Sequence, residues 1–177
     1  MIVNLNELRL SGEPLLVKGS FCEDDLHIQS RLAALSEDVA TEMKVSLSGD
    51  RVSVKGTLRT ALLVTCCRCA NPFSVQIAKQ FDLEYWPDPD VADGEELELE
   101  YEDLEVGFYR DDQIDLSAVL SEQVVIEIPM KPVCREGCKG LCDQCGRDLN
   151  EGDCDCDRTK IDPRFAVLAQ LKNPKVN

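Results

Sequence analysis

The stretch TLRTALLVTCCRCANPFSVQIAKQFDLEY, residues 57–85, decides the fold. Its two arms, residues 57–65 and 73–85, alternate apolar and polar side chains with the period of two that is typical of β-strands. Between the arms, Cys66-Cys67-Arg68-Cys69 precedes the turn-forming Ala70-Asn71-Pro72. The pattern predicts a long hairpin with cysteines at its tip, and two paired strands would give ligands a rigid support.

Upstream of this hairpin the sequence predicts more β-structure. Residues 45–48 and 51–55 alternate around Gly49-Asp50, which is typical of a first hairpin. The opening residues favour short extended pieces over Ile2 to Leu5 and Leu15 to Val17, separated by a turn.

Two helices are predicted, and a third segment has an ambiguous pattern. Residues 24–40 carry a partial helical stripe of apolar side chains. Asp115 precedes an apolar run, so we expect an N-capped amphipathic helix that ends before Pro129. Asp162-Pro163 opens another capped segment, which predicts a short helix to Leu171 that packs on the core.

These elements predict an α+β protein: one β-rich domain of antiparallel hairpins, with one or two packing helices and a small C-terminal zinc-knuckle or ribbon segment. We place the β-rich core at residues 1–130, the cysteine-rich zinc-binding segment at residues 131–160, and a C-terminal helix and tail at residues 161–177. An acidic loop at about residues 87–105 interrupts the core, with at most one short strand at Leu97 to Tyr101.

Thiols dominate the chemistry of the chain, which has ten cysteines, six of them between residues 134 and 156. We find no leader peptide and no apolar stretch of about 18 residues, which predicts a cytoplasmic protein that does not enter a membrane. Thiols stay reduced in the cytosol, so a dense cysteine pattern favours metal binding there. The competing interpretation is a disulfide framework in an exported protein.

The first predicted zinc site consists of Cys142, Cys145, Cys154 and Cys156. The spacing of Cys142 and Cys145 puts two thiolates on one edge of a tetrahedron, and Gly146 lets the backbone curl toward the sulfurs. The second pair, Cys154 and Cys156, has one intervening residue where a Cys-x-x-Cys pair has two. The interval is too short to bury a core, so the metal would supply its folding free energy.

Cys134 and Cys138 leave two arrangements open. In one, Cys138 replaces one cysteine of the 154/156 pair. In the other, both reach back to the hairpin tip and complete a second zinc site. The chain would bind one zinc ion in the first arrangement and two in the second. The members of this second site would be Cys66, Cys69, Cys134 and Cys138.

No enzymatic motif is found in the sequence. Thioredoxin-like sites place Cys-x-x-Cys at the start of a helix, whereas Cys66 and Cys69 lie between predicted strands. The one histidine, His27, is interpreted as a surface residue. The sequence has no Gly-rich phosphate loop, nucleophile elbow or His-Glu metal motif. We therefore expect a protein that is not an enzyme.

The net charge of −15 lies in the middle third of the chain. Residues 1–81 carry nine bases and nine acids, and residues 130–177 carry nine bases and eight acids. Residues 82–129 carry 17 acids and a single base, Arg110. Such a field repels phosphate backbones and attracts basic partners. The alternative is a solvated loop that keeps the protein soluble.

An ordered set of motifs resembles one family. The hairpin tip, Cys66-Cys67-Arg68-Cys69 followed by Pro72-Phe73, resembles its Cys-x-Arg-Cys signature. Further motifs recur downstream in the family's order: Asp115-Leu116, Ile128-Pro129, Cys138-Lys139-Gly140-Leu141-Cys142, Cys145-Gly146, Leu149-Asn150 and Asp162-Pro163-Arg164-Phe165. The chain is similar over nearly its whole length to the YceD family, the large ribosomal RNA subunit accumulation proteins of bacteria and chloroplasts.

The resemblance implies a non-enzymatic role in accumulating 23S ribosomal RNA and in assembling the large ribosomal subunit. Because the chain is acidic, we expect an indirect mechanism in which the middle third binds a basic ribosomal protein or assembly factor. The alternative is direct contact with RNA through a local patch that contains Arg59, Arg68, Lys139 and Arg147. Two other classes compete: a zinc-stabilised interaction module unrelated to ribosomes, and a Cys-x-x-Cys thiol-redox protein.

Overall fold

The computed structural model describes residues 1–26, 28, 33–88, 106–156 and 164. In chain order its strands and helices are β1 Ile2–Asn4, α1 Leu5–Ser11, β2 Leu15–Phe21, β3 Ala33–Leu35, β4 Val39–Ser48, β5 Arg51–Thr65, β6 Pro72–Pro87, β7 Val106–Tyr109, β8 Gln113–Asp115 and α2 Leu116–Ile126. The predicted strand at residues 97–101, most of the acidic loop, nearly all of the C-terminal helix and tail, and His27 lie outside the described residues.

Within the described residues the main sheet has six strands. Five follow the order β2-β4-β5-β6-β7, and β3 lies beside β4 on the same edge of β5. Both predicted hairpins are confirmed. β4 and β5 pair around Gly49-Asp50, and β5 and β6 pair without interruption from Val52↔Tyr85 to Thr65↔Pro72. The unbroken ladder places residues 66–71 at the end of two long strands.

β7 corrects the expectation that the sheet consists of antiparallel hairpins alone. It pairs parallel to β6, from Glu84↔Val106 to Pro87↔Tyr109, so the sheet is mixed. A parallel neighbour requires a long connection that returns the chain to the same end of the sheet, and residues 88–105 supply that length. At four residues, β7 is too short for its alternation to predict it.

The extended piece expected at the N-terminus is confirmed over Ile2–Asn4, and a helix that was not predicted follows from Leu5. β1 pairs antiparallel with β8 in a separate two-stranded sheet. α1 begins after its cap residue Asn4 and ends at Ser11, where the C-cap residue Gly12 has a left-handed φ of 67°. Leu5 and Leu8 are buried, and their spacing of three residues fits one face of a helix.

The helical stripe expected over residues 24–40 is wrong where the structure describes this segment. A single 3-10 turn covers Glu23–Asp25, and β3 and β4 follow it. Between β3 and β4 the chain bulges, because four of its residues face two of β5. The Thr60 hydroxyl fastens this bulge by donating to the Glu37 carbonyl at 2.8 Å. Pairing with β5 therefore overrides the local helical pattern.

The core lies on one face of the main sheet, where most alternate residues of β4 and β5 are buried. The predicted helix, α2, joins the same apolar cluster. Its cap is Asp115, whose carboxylate accepts a hydrogen bond from the Ser117 N–H at 3.0 Å. α2 ends at Ile126, before Pro129, as predicted.

Candidate metal centres

The hairpin tip is a tight Cys-x-x-Cys turn between β5 and β6. The Cys66 N–H donates to the Asn71 carbonyl at 2.9 Å, and the Ala70 N–H donates to the Cys66 carbonyl at 3.0 Å. The Arg68 N–H donates to the Cys66 sulfur at 3.4 Å. Ala70 has a φ of 59°, in the left-handed region. These bonds turn Cys66 and Cys69 toward the same point.

Residues 142–147 repeat this turn bond for bond. The Cys142 N–H donates to the Arg147 carbonyl at 2.8 Å, and the Gly146 N–H donates to the Cys142 carbonyl at 2.9 Å. The Gln144 N–H donates to the Cys142 sulfur at 3.4 Å. Gly146 takes the left-handed position with a φ of 73°. The chain therefore builds the same two-thiol turn twice.

Four cysteine sulfurs meet at the hairpin tip in a group that we call cluster A. Its members are Cys66, Cys69, Cys134 and Cys138, whose sulfurs all lie within 4.8 Å of one another. The sulfurs of Cys66 and Cys138 are 3.9 Å apart, and those of Cys69 and Cys134 are 3.8 Å apart. A tetrahedral zinc ion with Zn–S bonds of about 2.3 Å separates its sulfurs by about 3.8 Å, whereas a disulfide requires about 2.05 Å. The spacing fits a four-thiolate metal site.

A second group, cluster B, lies in the C-terminal segment. Its members are Cys142, Cys145, Cys154 and Cys156, whose sulfurs also lie within 4.8 Å of one another. Cys142 is buried, Cys145 is exposed, and the remaining pair is half-buried. All four ligands come from 15 consecutive residues, so this cluster is local in sequence.

The structure therefore groups the cysteines as the second sequence arrangement requires. Cys138 lies with the hairpin tip and not with the 154/156 pair. Cys22 and Cys67 lie outside both clusters. Cluster A joins two parts of the chain that are 65 residues or more apart in sequence.

Hydrogen bonds fasten the C-terminal segment to the hairpin tip around cluster A. The Cys67 N–H donates to the Pro132 carbonyl at 2.8 Å, and the Leu141 N–H donates to the Arg68 carbonyl at 3.0 Å. Through Nη1, Arg68 also donates to the carbonyls of Glu136 and Cys138, at 3.3 and 3.1 Å. The arginine of the Cys-x-Arg-Cys motif is thus a clamp between the two segments.

Gly140 lies at the closest approach of these segments. Its φ is 76°, and a Cβ added there would lie 2.9 Å from the Arg68 carbonyl oxygen. A side chain at this position would strain the left-handed backbone and clash with a backbone oxygen, which cannot rotate away. The close seating of the segment on the tip therefore requires glycine here.

Two polar side chains that the sequence does not single out as functional support the segment around the clusters. The Asn150 amide donates to the Cys138 sulfur at 3.5 Å and accepts from the Lys139 N–H at 2.9 Å. Asn71 donates to the Asp148 carboxylate at 2.8 Å, which links the two turns directly. Their sequence signals, the Ala70-Asn71-Pro72 turn and the Leu149-Asn150 motif, do not predict these contacts, because the contacts depend on how the segments meet.

In cluster A, the surroundings lower the pKa of some thiols and raise the pKa of others. The Cys134 N–H bonds to the Cys66 sulfur and, with the N–H groups of Cys69 and Arg68, lowers the pKa of Cys66 to about 6. Burial, together with the neighbouring thiols, raises the pKa of Cys134 to about 12. A divalent cation among the four sulfurs would favour the thiolate form of them all.

Cluster B shows the same contrast. The N–H groups of Cys145 and Gln144 lower the pKa of Cys142 to about 7. The Cys145 thiol, with burial, raises the pKa of Cys156 to about 12. Each cluster therefore has at least one thiol with a lowered pKa and at least one with a raised pKa. A cation that bound all four as thiolates would displace protons from the thiols with raised pKa.

A mixed β-sheet whose hairpin tip and C-terminal segment together build two four-cysteine clusters defines a class of small cysteine-rich β-proteins. Comparison with known proteins identifies the family. This chain belongs to the YceD family, because the family's sequence model, described as large ribosomal RNA subunit accumulation protein YceD, matches residues 54–172. The match includes the hairpin tip and every cysteine of both clusters.

Relatives are found in bacteria and in plants. An uncharacterized protein of Mycobacterium tuberculosis is 36% identical over 136 residues, which is 76% of this chain and 62% of the relative. The Arabidopsis thaliana relative, named large ribosomal RNA subunit accumulation protein YCED homolog 1, chloroplastic, is 29% identical and covers 69% of this chain and 44% of itself. YlbN of Bacillus subtilis is 27% identical over 87% of this chain and 89% of its own length. No solved structure matches.

The chain thus spans about three fifths of the mycobacterial relative's length and less than half of the plant relative's. Among the described residues, no helix is long and apolar enough to cross a membrane.

Proposed function

We propose that this protein is a non-enzymatic factor of ribosome biogenesis, which promotes 23S rRNA accumulation and large-subunit assembly in the cytoplasm. Membership of the YceD family carries the proposal, since its plant members are named for large ribosomal RNA subunit accumulation. The two clusters support a scaffold role, because their sulfurs are mostly turned toward one another and fastened to backbone amides.

In this proposal each cluster holds one Zn²⁺ ion, two per chain. The support is the sulfur spacing of 3.8 and 3.9 Å in cluster A, which matches a tetrahedral four-thiolate site. The cation would neutralise part of the thiolate charge and fasten the C-terminal segment to the hairpin. Metal analysis of the full chain, purified under reducing conditions, is expected to give two zinc ions, and a count of one would contradict the two-site assignment.

The proposed partner is a basic ribosomal protein or assembly factor, bound by the acidic middle third. The support is the charge distribution, with 17 acids and one base in residues 82–129. A field of this sign speeds association with basic surfaces and opposes contact with phosphate backbones.

Depletion of the protein tests the ribosomal role. Sucrose-gradient profiles of a depleted strain are expected to show a loss of large subunits and of 23S rRNA, with the small subunit unchanged. Re-expression of the full chain should restore the profile. An equal loss of both subunits, or no loss, would favour an interaction module with no ribosomal role.

Binding experiments test the partner. Pull-downs with large-subunit proteins are expected to recover a basic protein, and gel shifts with 23S fragments at physiological salt should show no complex. Substituting Glu95, Glu96 and Glu98 by Gln should weaken the pull-down. The matched control substitutes Glu7, Glu13 and Glu23 by Gln. Binding of RNA without any ribosomal protein would refute the indirect mechanism.

A further inference from the structure

The two clusters differ in how far solvent reaches their sulfurs. In cluster A the exposed fractions of Cys66, Cys69 and Cys138 are 2%, 3% and 5%, and Phe73 and Val133 pack against them. Cys134 is half-buried, and no member of cluster A is as exposed as Cys145. In cluster B only Cys142 is comparably buried, at 3%, whereas Cys145 is exposed. Cysteine oxidation requires contact between the sulfur and the oxidant, so exposure selects cluster B.

The clusters also differ in how freely their sulfurs can move together. A disulfide would require two sulfurs of a cluster to approach from about 3.8 Å to about 2.05 Å. In cluster A, Cys66 and Cys69 follow the end of the β5–β6 ladder. Arg68 donates to the Cys138 carbonyl, and the Cys134 N–H donates to the Cys66 sulfur. In cluster B, the 154/156 pair follows a turn and belongs to no strand or helix. The local arm of cluster B can close a disulfide without disturbing the sheet.

We propose that cluster B is a reversible thiol-oxidation site, at which a peroxide forms one disulfide and displaces the metal while cluster A keeps its own. The inference rests on the zinc binding proposed above. The two four-cysteine sites then have different roles. Cluster A holds the C-terminal segment on the hairpin tip, and cluster B responds to oxidants.

The reaction balances for hydrogen peroxide as the oxidant. The Cys145 thiolate attacks one peroxide oxygen, the O–O bond breaks, and hydroxide leaves, so that Cys145 becomes a sulfenic acid. A thiolate of the 154/156 pair then attacks the sulfenic sulfur, an S–S bond forms, and a second hydroxide leaves. Two sulfurs lose two electrons in total, and the peroxide is reduced to two waters after protonation. The two remaining thiols make an incomplete ligand set, and a dithiol reductant reverses the change.

The test follows zinc release from the reduced, zinc-loaded full chain treated with hydrogen peroxide. A chromogenic zinc chelator, 4-(2-pyridylazo)resorcinol, reports the released metal. We expect one zinc ion per chain in a fast phase and the second at least about tenfold more slowly. Peptide mapping after the fast phase should place one disulfide between Cys145 and either Cys154 or Cys156, with a mass loss of about 2 Da.

Three variants sharpen the test. Cys145→Ser should remove the fast phase and leave one slowly released zinc ion, and Cys156→Ser should do the same if the first variant folds poorly. Cys67→Ser is the matched control, because Cys67 is exposed but lies outside both clusters, and its fast phase should be unchanged.

The initial metal count separates this inference from the zinc proposal. Two zinc ions that leave together, a fast disulfide within cluster A, or loss of the fast phase in Cys67→Ser would each overturn the oxidation site while zinc binding stands. A count below two before treatment would overturn both. Neither result bears on the ribosomal role, which the subunit profiles decide.

Discussion

The two Cys-x-x-Cys turns, residues 66–71 and 142–147, have the same hydrogen bonds but different supports. The first ends strands of 15 and 16 residues, whereas the second is flanked by the isolated Leu141↔Asp148 bridge. The first has Ala70 at its left-handed position, and the second has Gly146. Left-handed strain of about 1–2 kcal/mol persists at a non-glycine residue only where the surroundings fix the backbone. The sheet therefore shapes the first turn, whereas the zinc ion proposed for cluster B would hold the second.

The largest expected effect comes from opening one cluster at a time. Cys138→Ser breaks cluster A and releases the C-terminal segment from the hairpin tip. We expect the melting temperature of the zinc-loaded chain to fall by about 10 °C or more, since a structural zinc site contributes several kcal/mol and each kcal/mol corresponds to about 2–4 °C at this length. Cys145→Ser breaks only the local cluster B and should lower it by less than about 4 °C.

Circular dichroism of the β-sheet signal measures both variants, and Cys67→Ser serves as the neutral control. Equal shifts for Cys138→Ser and Cys145→Ser would contradict the view that only cluster A is coupled to the sheet. Each variant should lose one zinc ion, which shows that the intended cluster was opened.

The next effect concerns the contact between the two turns. Gly140→Ala combines a left-handed φ with a Cβ that would lie 2.9 Å from the Arg68 carbonyl oxygen. We expect a loss of about 2–3 kcal/mol in the free energy of unfolding, measured by urea denaturation. Gly137→Ala is the control, since its added Cβ meets nothing within 4 Å. A loss of similar size in both variants would show that the segment is not seated on the tip.

Sequence reasoning predicted the hairpins because their signals are local. The alternation of residues 57–65 and 73–85 and the Asp115 cap each lie within one element. The β1–β8 pair and the parallel β6–β7 pair were missed, because each joins short strands that are distant in sequence. The helical stripe over residues 24–40 was misleading because its local pattern is ambiguous. In the structure, residues 33–35 of this segment form a strand that pairs with β5.

For the candidate site, cysteine spacing predicted the first group and offered the second as one of two arrangements, but it did not predict which contacts fasten them. Four ligands per tetrahedron left two arrangements open, and only the fold brings Cys134 and Cys138 to the hairpin tip. The roles of Arg68, Gly140 and Asn150 depend on distances between separate segments. Such contacts leave no periodic pattern in a single sequence.

A smaller effect is expected at the third position of each turn, Arg68 in the first and Gln144 in the second. Arg68→Leu removes two bonds to carbonyl oxygens that join the segments, and we expect a loss of about 1–2 kcal/mol. Gln144→Leu, at the equivalent exposed position, should change the free energy of unfolding by less than about 0.5 kcal/mol. Urea denaturation of both variants makes the comparison, and a larger loss for Gln144→Leu would refute the clamp.

The smallest changes in the free energy of unfolding are expected from substitutions at the two left-handed positions, Ala70 and Gly146. Ala70→Gly relieves a φ of 59° but adds freedom to the unfolded chain, so we expect a gain of up to about 1 kcal/mol. Gly146→Ala introduces the same strain at a φ of 73° and should lose about 1 kcal/mol. The local loop can relax this strain by shifting Cys142 and Cys145, so the zinc affinity of cluster B should fall as well. Competition with a chelator measures that affinity. If Ala70→Gly weakens the protein instead, the sheet requires alanine at the tip for a reason other than backbone conformation.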